Sequence, residues 1–332
     1  MINAILIGNW LRRFLLEHLI GERNLARNTQ LSYRDTMLLL MTFAACSTGK
    51  SVDKLTIDHI SADCVRLFLA DLEKQRHCSV STRNQRLSAI HALARFVGEH
   101  SPEHISWCAA IRTIPYKRTA RPAMPYLEKS EIDALLASPD CQTAQGQRDH
   151  ALLQFLYNSG ARAEEAARIR IMDLDFTPPA SVRLIGKGNK ERHCPLWPST
   201  VLELHGLIAN RDSSEPVFRN RCGQPITRYG IHTMVERHVK NASIHAPSLR
   251  KKRVSPHTIR HATAVHLLRA GVDINTIRAW LGHVSIDTTN IYAEIDMEMK
   301  AKALACCEIK NGAKLRKSWL KDPDLMRFLK SL

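Results

Sequence analysis

The stretch from Ser255 to Tyr292 constrains the fold and the chemistry of this chain more than any other. Ser255 is a good N-cap, Pro256 suits the first helical position, and the apolar residues that follow recur at helical spacing. The stretch therefore predicts a helix with His257 in its first turn and Arg260 three residues later on the same face. The unpaired amides and positive dipole end of such a helix favour an anion. The added imidazole and guanidinium indicate a site for a phosphate rather than for a neutral ligand.

Two further landmarks lie downstream of this predicted helix start. They are the tripeptide Leu281-Gly282-His283 and then Tyr292. Together with the pair His257-x-x-Arg260, they resemble the C-terminal signature of the tyrosine recombinases, also called the phage integrase family. That signature has two more parts upstream, which are an Arg within a Gly-x-Arg-x-x-Glu motif and a Lys on a β-hairpin.

Both upstream parts are present, in the order of the family. The first reads Gly-Ala-Arg-Ala-Glu-Glu and contains Arg162, which follows a turn that ends a predicted helix. Glu165, three residues later, is the expected partner that holds this guanidinium in place. The second reads Gly-Lys-Gly-Asn-Lys-Glu-Arg and lies within residues 181–196, whose alternation predicts a β-hairpin with Lys187 at its tip.

The resemblance implies an enzyme that cuts and rejoins DNA through a covalent 3′-phosphotyrosine intermediate. Tyr292 is then the expected nucleophile, with His257 as its base and Lys187 as the acid for the departing 5′-oxygen. The two arginines and His283 are expected to bind the phosphate oxygens. Because the arginines supply the charge that a metal ion would, we expect no metal and no other cofactor. The catalytic set implied by the resemblance is Arg162, Lys187, His257, Arg260, His283 and Tyr292.

Composition favours a nucleic-acid partner. The 332 residues carry a formal charge of +16, with an isoelectric point near 9.7, and such a surplus indicates a polyanion. No stretch approaches the length of a membrane span and the N-terminus lacks a secretory signal, so we expect double-stranded DNA rather than a membrane. His257 and His261 have the spacing of a zinc helix, but Thr258 stands where the catalytic Glu would be, so no metal site is expected. Nine scattered cysteines are typical of reduced thiols, and we expect a cytoplasmic, nucleoid-associated bacterial protein.

The predicted fold is mainly α with a small β-hairpin or sheet. Residues 1–100 predict a compact helical bundle that resembles the DNA-binding, core-binding domain of the family. Residues 101–125, broken by prolines, predict a basic interdomain linker. Residues 126–310 predict the mixed α/β catalytic domain, and residues 311–332 an amphipathic C-terminal tail that packs either on its own domain or on a partner subunit.

Two basic segments are expected to contact DNA outside the catalytic set. The linker carries Lys117 and Arg118, which we expect to cross the DNA backbone, although an ordinary solvated tether has the same composition. Just before the predicted helix at Ser255 come four consecutive cations. A nuclear address is one interpretation of this run, and a loop that grips phosphates beside the active site is the favoured one. The four residues are Arg250, Lys251, Lys252 and Arg253.

The expected partner is double-stranded DNA with specific recombination sites, bound by a homo- or hetero-tetramer that includes companion recombinases in some systems. The favoured function is integration or transposition of a mobile element. Three alternatives stay open, which are a DNA-binding accessory subunit, a Xer-like resolvase and a relaxing topoisomerase that needs no defined site.

Overall fold

The structure is a computed structural model that describes residues 6–119, 125–186, 188–282, 327 and 329–331. The chain divides into two compact units, Met1–Pro122 and Ala123–Leu332. Each unit has its own apolar core. No helix among the described residues is long and apolar enough to cross a membrane.

The first unit is a helical bundle whose helix ends carry local signals. Ser61 and Ser79 each cap a helix by accepting a backbone N–H, and Gly49 ends another in the left-handed conformation. Phe14, Phe68 and other apolar side chains of the five helices in its described part meet in one core. The helices are α1 (Ile7–Arg12, continued as a wider π-type helix over Arg13–Glu22), α2 (Arg27–Thr48), α3 (Ala62–Lys74), α4 (Val80–His100) and α5 (Ile105–Arg112).

Helix α5 corrects the expectation that a linker begins at residue 101. Cys108, Ile111 and Ile114 are buried in the core of the first unit, and Trp107 donates a hydrogen bond from Nε1 to the Ile60 carbonyl at 2.9 Å. This helix is about two turns long and lies between prolines, so it is too short for its apolar residues to show a period in the sequence. Residues up to at least 114 therefore belong to the first unit.

Among its described residues, the second unit is mainly helical with one small antiparallel sheet, as predicted. The sheet has the order β1-β2-β3, and Val182 pairs with Cys194 across the predicted hairpin. The elements are α6 (Lys129–Leu136), α7 (Ala144–Ser159), α8 (Ala163–Arg168), β1 (Leu174–Asp175), β2 (Ser181–Ile185), β3 (Glu191–Pro195), α9 (Pro198–Ile208), α10 (Arg228–Ala242), α11 (Pro256–Arg269) and α12 (Ile274–Leu281).

Helices α7 and α11 form the buried centre of this unit. The Thr263 hydroxyl of α11 donates to the Tyr157 carbonyl of α7 at 2.7 Å. Ser255 caps α11 by accepting from the Thr258 N–H, and Pro256 is its first residue, as the sequence predicts. The C-terminal end of α7 is thereby held against α11, which carries His257 and Arg260, and the chain leads from this end of α7 to Arg162 at the start of α8.

Candidate active site

Arg260 is the buried anchor of the site. Its side chain is completely inaccessible to solvent. One guanidinium nitrogen donates to the Gly160 carbonyl at 2.6 Å and another to the Leu281 carbonyl at 2.5 Å. These carbonyls lie at the C-terminal ends of α7 and α12, where backbone acceptors lack helical partners and the dipole is negative. A single buried cation therefore joins two helix ends and is compensated by them.

Gly160 makes this meeting of helices possible. It ends α7 with φ +59°, in the left-handed region that favours glycine. A Cβ placed on it would lie 2.6 Å from the Leu281 Cδ2 atom. The glycine of the first upstream motif is thus required both by the backbone turn and by the contact with α12.

Arg162 and Glu165 form the predicted pair. Arg162 is the N-cap of α8, and one of its guanidinium nitrogens donates to Glu165 Oε1 at 2.7 Å. Its backbone N–H donates to the other carboxylate oxygen at 2.8 Å. Because the Arg162 side chain is about a third exposed and that of Glu165 is buried, the carboxylate fixes a guanidinium that still faces solvent.

Arg192 of β3 is a second partner of Glu165, and this role was not predicted from the sequence. It donates two parallel hydrogen bonds to the carboxylate, at 3.0 and 2.7 Å, and its Nε donates to the Trp280 carbonyl at 2.9 Å. The available signal was its position in the hairpin. Arg192 lies two residues before Cys194, which is buried, so both residues belong to the inward face of the strand.

The environment of Glu165 favours its ionised form. Burial by itself raises the pKa of a carboxyl group, but the hydrogen bonds and charge of Arg192, followed by the hydrogen bonds from Arg162, outweigh it and lower the pKa of Glu165 to about 2. The carboxylate is therefore charged at every physiological pH, and the two arginines stay fixed around it.

His257 lies at the mouth of the site. Its ring meets the His261 ring edge to face, with centroids 4.5 Å apart. Loss of solvation around the ring, together with the charges of Arg260 and Arg162, lowers the pKa of His257 below its ordinary value. The imidazole is thus mainly neutral near pH 7 and is able to accept a proton.

The predicted hairpin is present, and its loop spans residues 186–190. The Gly186 N–H donates to the Lys190 carbonyl at 2.8 Å, and Gly188 and Asn189 both adopt the left-handed conformation that a tight turn needs. Lys187 itself lies outside the described residues, as do His283 and Tyr292. The structure therefore brings together Arg162, Glu165, His257 and Arg260, and their predicted companions stay predictions.

The basic run before α11 does not act as one unit. Arg250, Lys251 and Arg253 are exposed. Lys252 instead donates to the buried Glu131 carboxylate at 2.6 Å and to the Tyr126 carbonyl at 3.1 Å. The expectation that Lys252 grips phosphate is thus corrected, since its ammonium group is held within the second unit.

The two expected contacts of the linker also differ from each other. Both side chains are exposed, but the Lys117 ammonium forms an ion pair with Glu73 at 2.7 Å. Among the described residues there is no group of three or more His, Cys, Asp or Glu side chains that could hold a metal ion.

Comparison with known proteins gives two family matches and close relatives. Residues 12–99 match the N-terminal SAM-like domain of phage integrases, and residues 125–299 match the phage integrase family. The chain is 38% identical to the integrase/recombinase y4rC of Sinorhizobium fredii over 97% of both chains. It is 30% identical to tyrosine recombinase XerC of Pelobacter propionicus, over 87% of this chain and 91% of that one.

Solved structures share the fold. The XerH recombinase, bound to its difH substrate after cleavage, aligns with a TM-score of 0.65 at 20% identity, covering 86% of this chain and 82% of that chain. The Tn1549 transposon integrase, in complex with circular intermediate DNA, aligns with a TM-score of 0.66 at 18% identity, covering 90% and 99%. The predicted fold, a helical bundle followed by a mixed α/β catalytic domain, is therefore confirmed. With both family matches and a relative aligned over nearly its full length, the chain belongs to the phage integrase family of tyrosine recombinases.

Proposed function

We propose that this chain is a site-specific DNA recombinase that integrates or transposes a mobile element through a 3′-phosphotyrosine intermediate. The observation that carries the proposal is the assembly of two arginines and one neutral histidine around helix α11, in a chain of this family. The relatives named integrase/recombinase, and the structural likeness to a transposon integrase, support the mobile-element role.

The chemistry follows from the charges of the site. The Tyr292 oxygen attacks the scissile phosphorus, and the bond from phosphorus to the 5′-oxygen breaks. A phenol with a pKa near ~10 needs a base, and the neutral His257 accepts its proton. Lys187 donates a proton to the departing 5′-oxygen. Attack by another 5′-hydroxyl reverses each step and rejoins the strands.

The negative charge that builds on the phosphate oxygens needs fixed cations. Arg162 is held by Glu165 and partly exposed, so it is placed to bind a phosphate that approaches α8. Arg260 is buried beside Gly160, where its charge is partly offset by the helix-end carbonyls but is only weakly screened by solvent. His283 supplies a further hydrogen bond in this scheme. Because these cations supply the charge, the reaction needs no metal ion.

The proposed partner is double-stranded DNA carrying a specific recombination site, bound by a tetramer of this chain alone or together with companion recombinases. Two subunits act at each crossover site in this arrangement. The proposed location is the bacterial cytoplasm, at the nucleoid.

A suicide-substrate experiment tests the proposal. The protein is incubated with a nicked duplex from the ends of its own element, in the presence of a chelator, and a covalent protein–DNA band is sought on a denaturing gel. The wild type should form the band and Tyr292→Phe should not. Tyr229→Phe is the matched control, since Tyr229 is an exposed helical tyrosine outside the proposed site.

Other outcomes point to the alternatives. A band that persists in Tyr292→Phe shows that the nucleophile is a different residue. A salt-sensitive shift on a native gel without any covalent band supports the accessory subunit, and cleavage of random-sequence plasmid supports a topoisomerase. The XerC relatives favour a resolvase as the second candidate, and efficient cleavage of a chromosomal dimer-resolution site in place of the element ends would support it.

A further inference from the structure

We propose that Arg192 is a positioning residue that sets the Lys187 loop for proton donation during DNA cleavage. The inference rests on the proposed function, since it concerns the acid step of that reaction. Arg192 is the last residue of the hairpin motif Gly-Lys-Gly-Asn-Lys-Glu-Arg, but it is not a member of the predicted catalytic set, and it does not itself touch the phosphate in this scheme.

The contacts of Arg192 join three separate elements of the site. Its guanidinium binds Glu165 at the start of α8 by two hydrogen bonds, and it binds the Trp280 carbonyl near the end of α12 by a third. Its backbone belongs to β3, the return strand of the hairpin. Both side chains of the Arg192–Glu165 pair are more than nine-tenths buried, so the pair is fixed by low dielectric and by bidentate geometry.

Two motif glycines lie directly against this pair. A Cβ on Gly186 would lie 3.2 Å from Glu165 Oε1, and a Cβ on Gly282 would lie 3.1 Å from the Arg192 Cδ atom. Lys187 follows Gly186 in the chain, and His283 follows Gly282. The segments that lead to both predicted catalytic residues therefore leave from contact with Arg192 and Glu165, and the pair defines their starting points.

Loss of Arg192 should disturb the hairpin more than it disturbs Arg162. Arg162 keeps two hydrogen bonds to Glu165 of its own, one from its side chain and one from its backbone. The base of the hairpin loop, in contrast, is tied to α8 and α12 through Arg192. Misplacement of an acid by about 1 Å costs roughly 100-fold in rate, so this contact matters for the acid step.

The test uses two versions of the nicked substrate, one with the natural 5′-oxygen and one with sulfur in its place. A thiol has a pKa of about 8.5, so sulfur departs as a thiolate and needs no acid. Arg192→Met should cleave the oxygen substrate roughly 10- to 100-fold more slowly than the wild type and should regain most of this rate with sulfur. Lys187→Ala should behave in the same way, whereas Arg162→Ala should stay slow on both substrates.

Arg183→Met is the matched control. Arg183 lies on the neighbouring strand β2 and is also ion-paired, to Asp173 at 2.7 Å, but it does not contact Glu165 among its described interactions. Arg183→Met should cleave the oxygen substrate at a rate within about 2-fold of the wild-type rate, because an ion pair of the hairpin that does not contact Glu165 does not position Lys187. Thermal melting and a native gel shift check that each variant folds and binds DNA.

The outcomes separate the two levels of inference. If Lys187→Ala is rescued by sulfur and Arg192→Met is not, the positioning role of Arg192 is overturned while the proposed function stands. If Lys187→Ala is not rescued either, the acid assignment within the proposed function is wrong. If Arg192→Met fails to fold, Arg192→Lys takes its place, because lysine keeps the charge but cannot form the paired hydrogen bonds. A decrease in the cleavage rate of Arg192→Lys that is smaller than the roughly 10- to 100-fold expected for Arg192→Met, and that sulfur restores, supports the proposal. A wild-type rate of Arg192→Lys on the oxygen substrate overturns it.

Discussion

Glu165 is a buried carboxylate whose surroundings act on it in opposite directions. Burial disfavours its charge, and two arginines favour it strongly enough to bring the pKa to about 2. In an unfolded chain the same group titrates near 4.5. Because the pKa is lower in the folded state, the pair stabilises the protein above pH 4.5, and this stabilisation is lost as the pH falls towards 2.

Glu165→Gln should therefore lower the free energy of unfolding at pH 7 by about 3 kcal/mol. This is the energy that corresponds to the difference in the pKa of Glu165 between the unfolded and folded states. The gap between variant and wild type should narrow between pH 4.5 and pH 2, since the wild-type carboxylate loses its charge there. Urea unfolding at pH 7, 4 and 3 measures this. The control is Glu164→Gln, whose carboxylate pairs with Arg168 on the surface and should change stability by less than about 1 kcal/mol. A gap that is equal at all three pH values would contradict the assignment.

At the scale of elements, the site is built where helices end. Helices α7 and α12 both end in left-handed glycines, Gly160 and Gly282, and the side chain of Arg260 bridges the carbonyls of Gly160 and Leu281. Helix ends have unpaired backbone acceptors, so they can bind a buried cation that a helix interior could not. The glycines of the two motifs thus serve the meeting of the helices.

Gly160→Ala should destabilise the second unit more than a Gly→Ala substitution at another left-handed glycine where the added Cβ meets no neighbouring atom. The control is Gly271→Ala, just beyond α11, where φ is +85° and a Cβ would have open space. The free energy of unfolding of the control should fall by about 1 kcal/mol, which is the cost of the left-handed conformation for a residue with a Cβ. Gly160→Ala adds the clash with Leu281 and should lose at least twice as much, with slower DNA cleavage. If urea unfolding shows equal decreases in stability for Gly160→Ala and Gly271→Ala, then Leu281 moves away from the added Cβ at no energetic cost and the prediction is wrong.

At the scale of the whole molecule, the charge of +16 is an electrostatic footprint whose individual cations have different tasks. Within the basic run, three cations face solvent, whereas Lys252 forms an ion pair with the buried carboxylate of Glu131. Counterion release depends only on the cations that reach phosphates. The run should therefore separate into a DNA-binding part and a structural part.

Replacing Arg250, Lys251 and Arg253 together by Gln should flatten the salt dependence of DNA affinity, by up to about 0.9 in log–log slope for each phosphate that the variant no longer neutralises. Lys252→Gln should leave that slope unchanged but lower stability by about 2 kcal/mol, less than for a fully buried pair because Lys252 is partly exposed. Affinity titrations at several salt concentrations, together with urea unfolding, measure both effects. A change of slope in Lys252→Gln alone would reverse the assignment.

Much of the fold and part of the site could be predicted from local sequence. The caps Ser61, Ser79 and Ser255, the glycine end of α7 and the alternation of the hairpin all act within a few residues, so they are visible in the chain itself. Helix α5 was missed because it is short and its burial depends on distant residues of the bundle.

The sequence by itself determined the family, the helix that presents His257 and Arg260, and the pairing of Arg162 with Glu165, because each rests on spacing along one segment. The tertiary structure alone decided that Arg192 shares Glu165 and that Lys252 is held by Glu131. It also decided that Arg260 is buried between two helix ends. These contacts join residues that are 27, 121 and 100 or 21 positions apart. No local pattern specifies which charge a buried carboxylate or carbonyl will meet, since that choice is made by packing in a region of low dielectric.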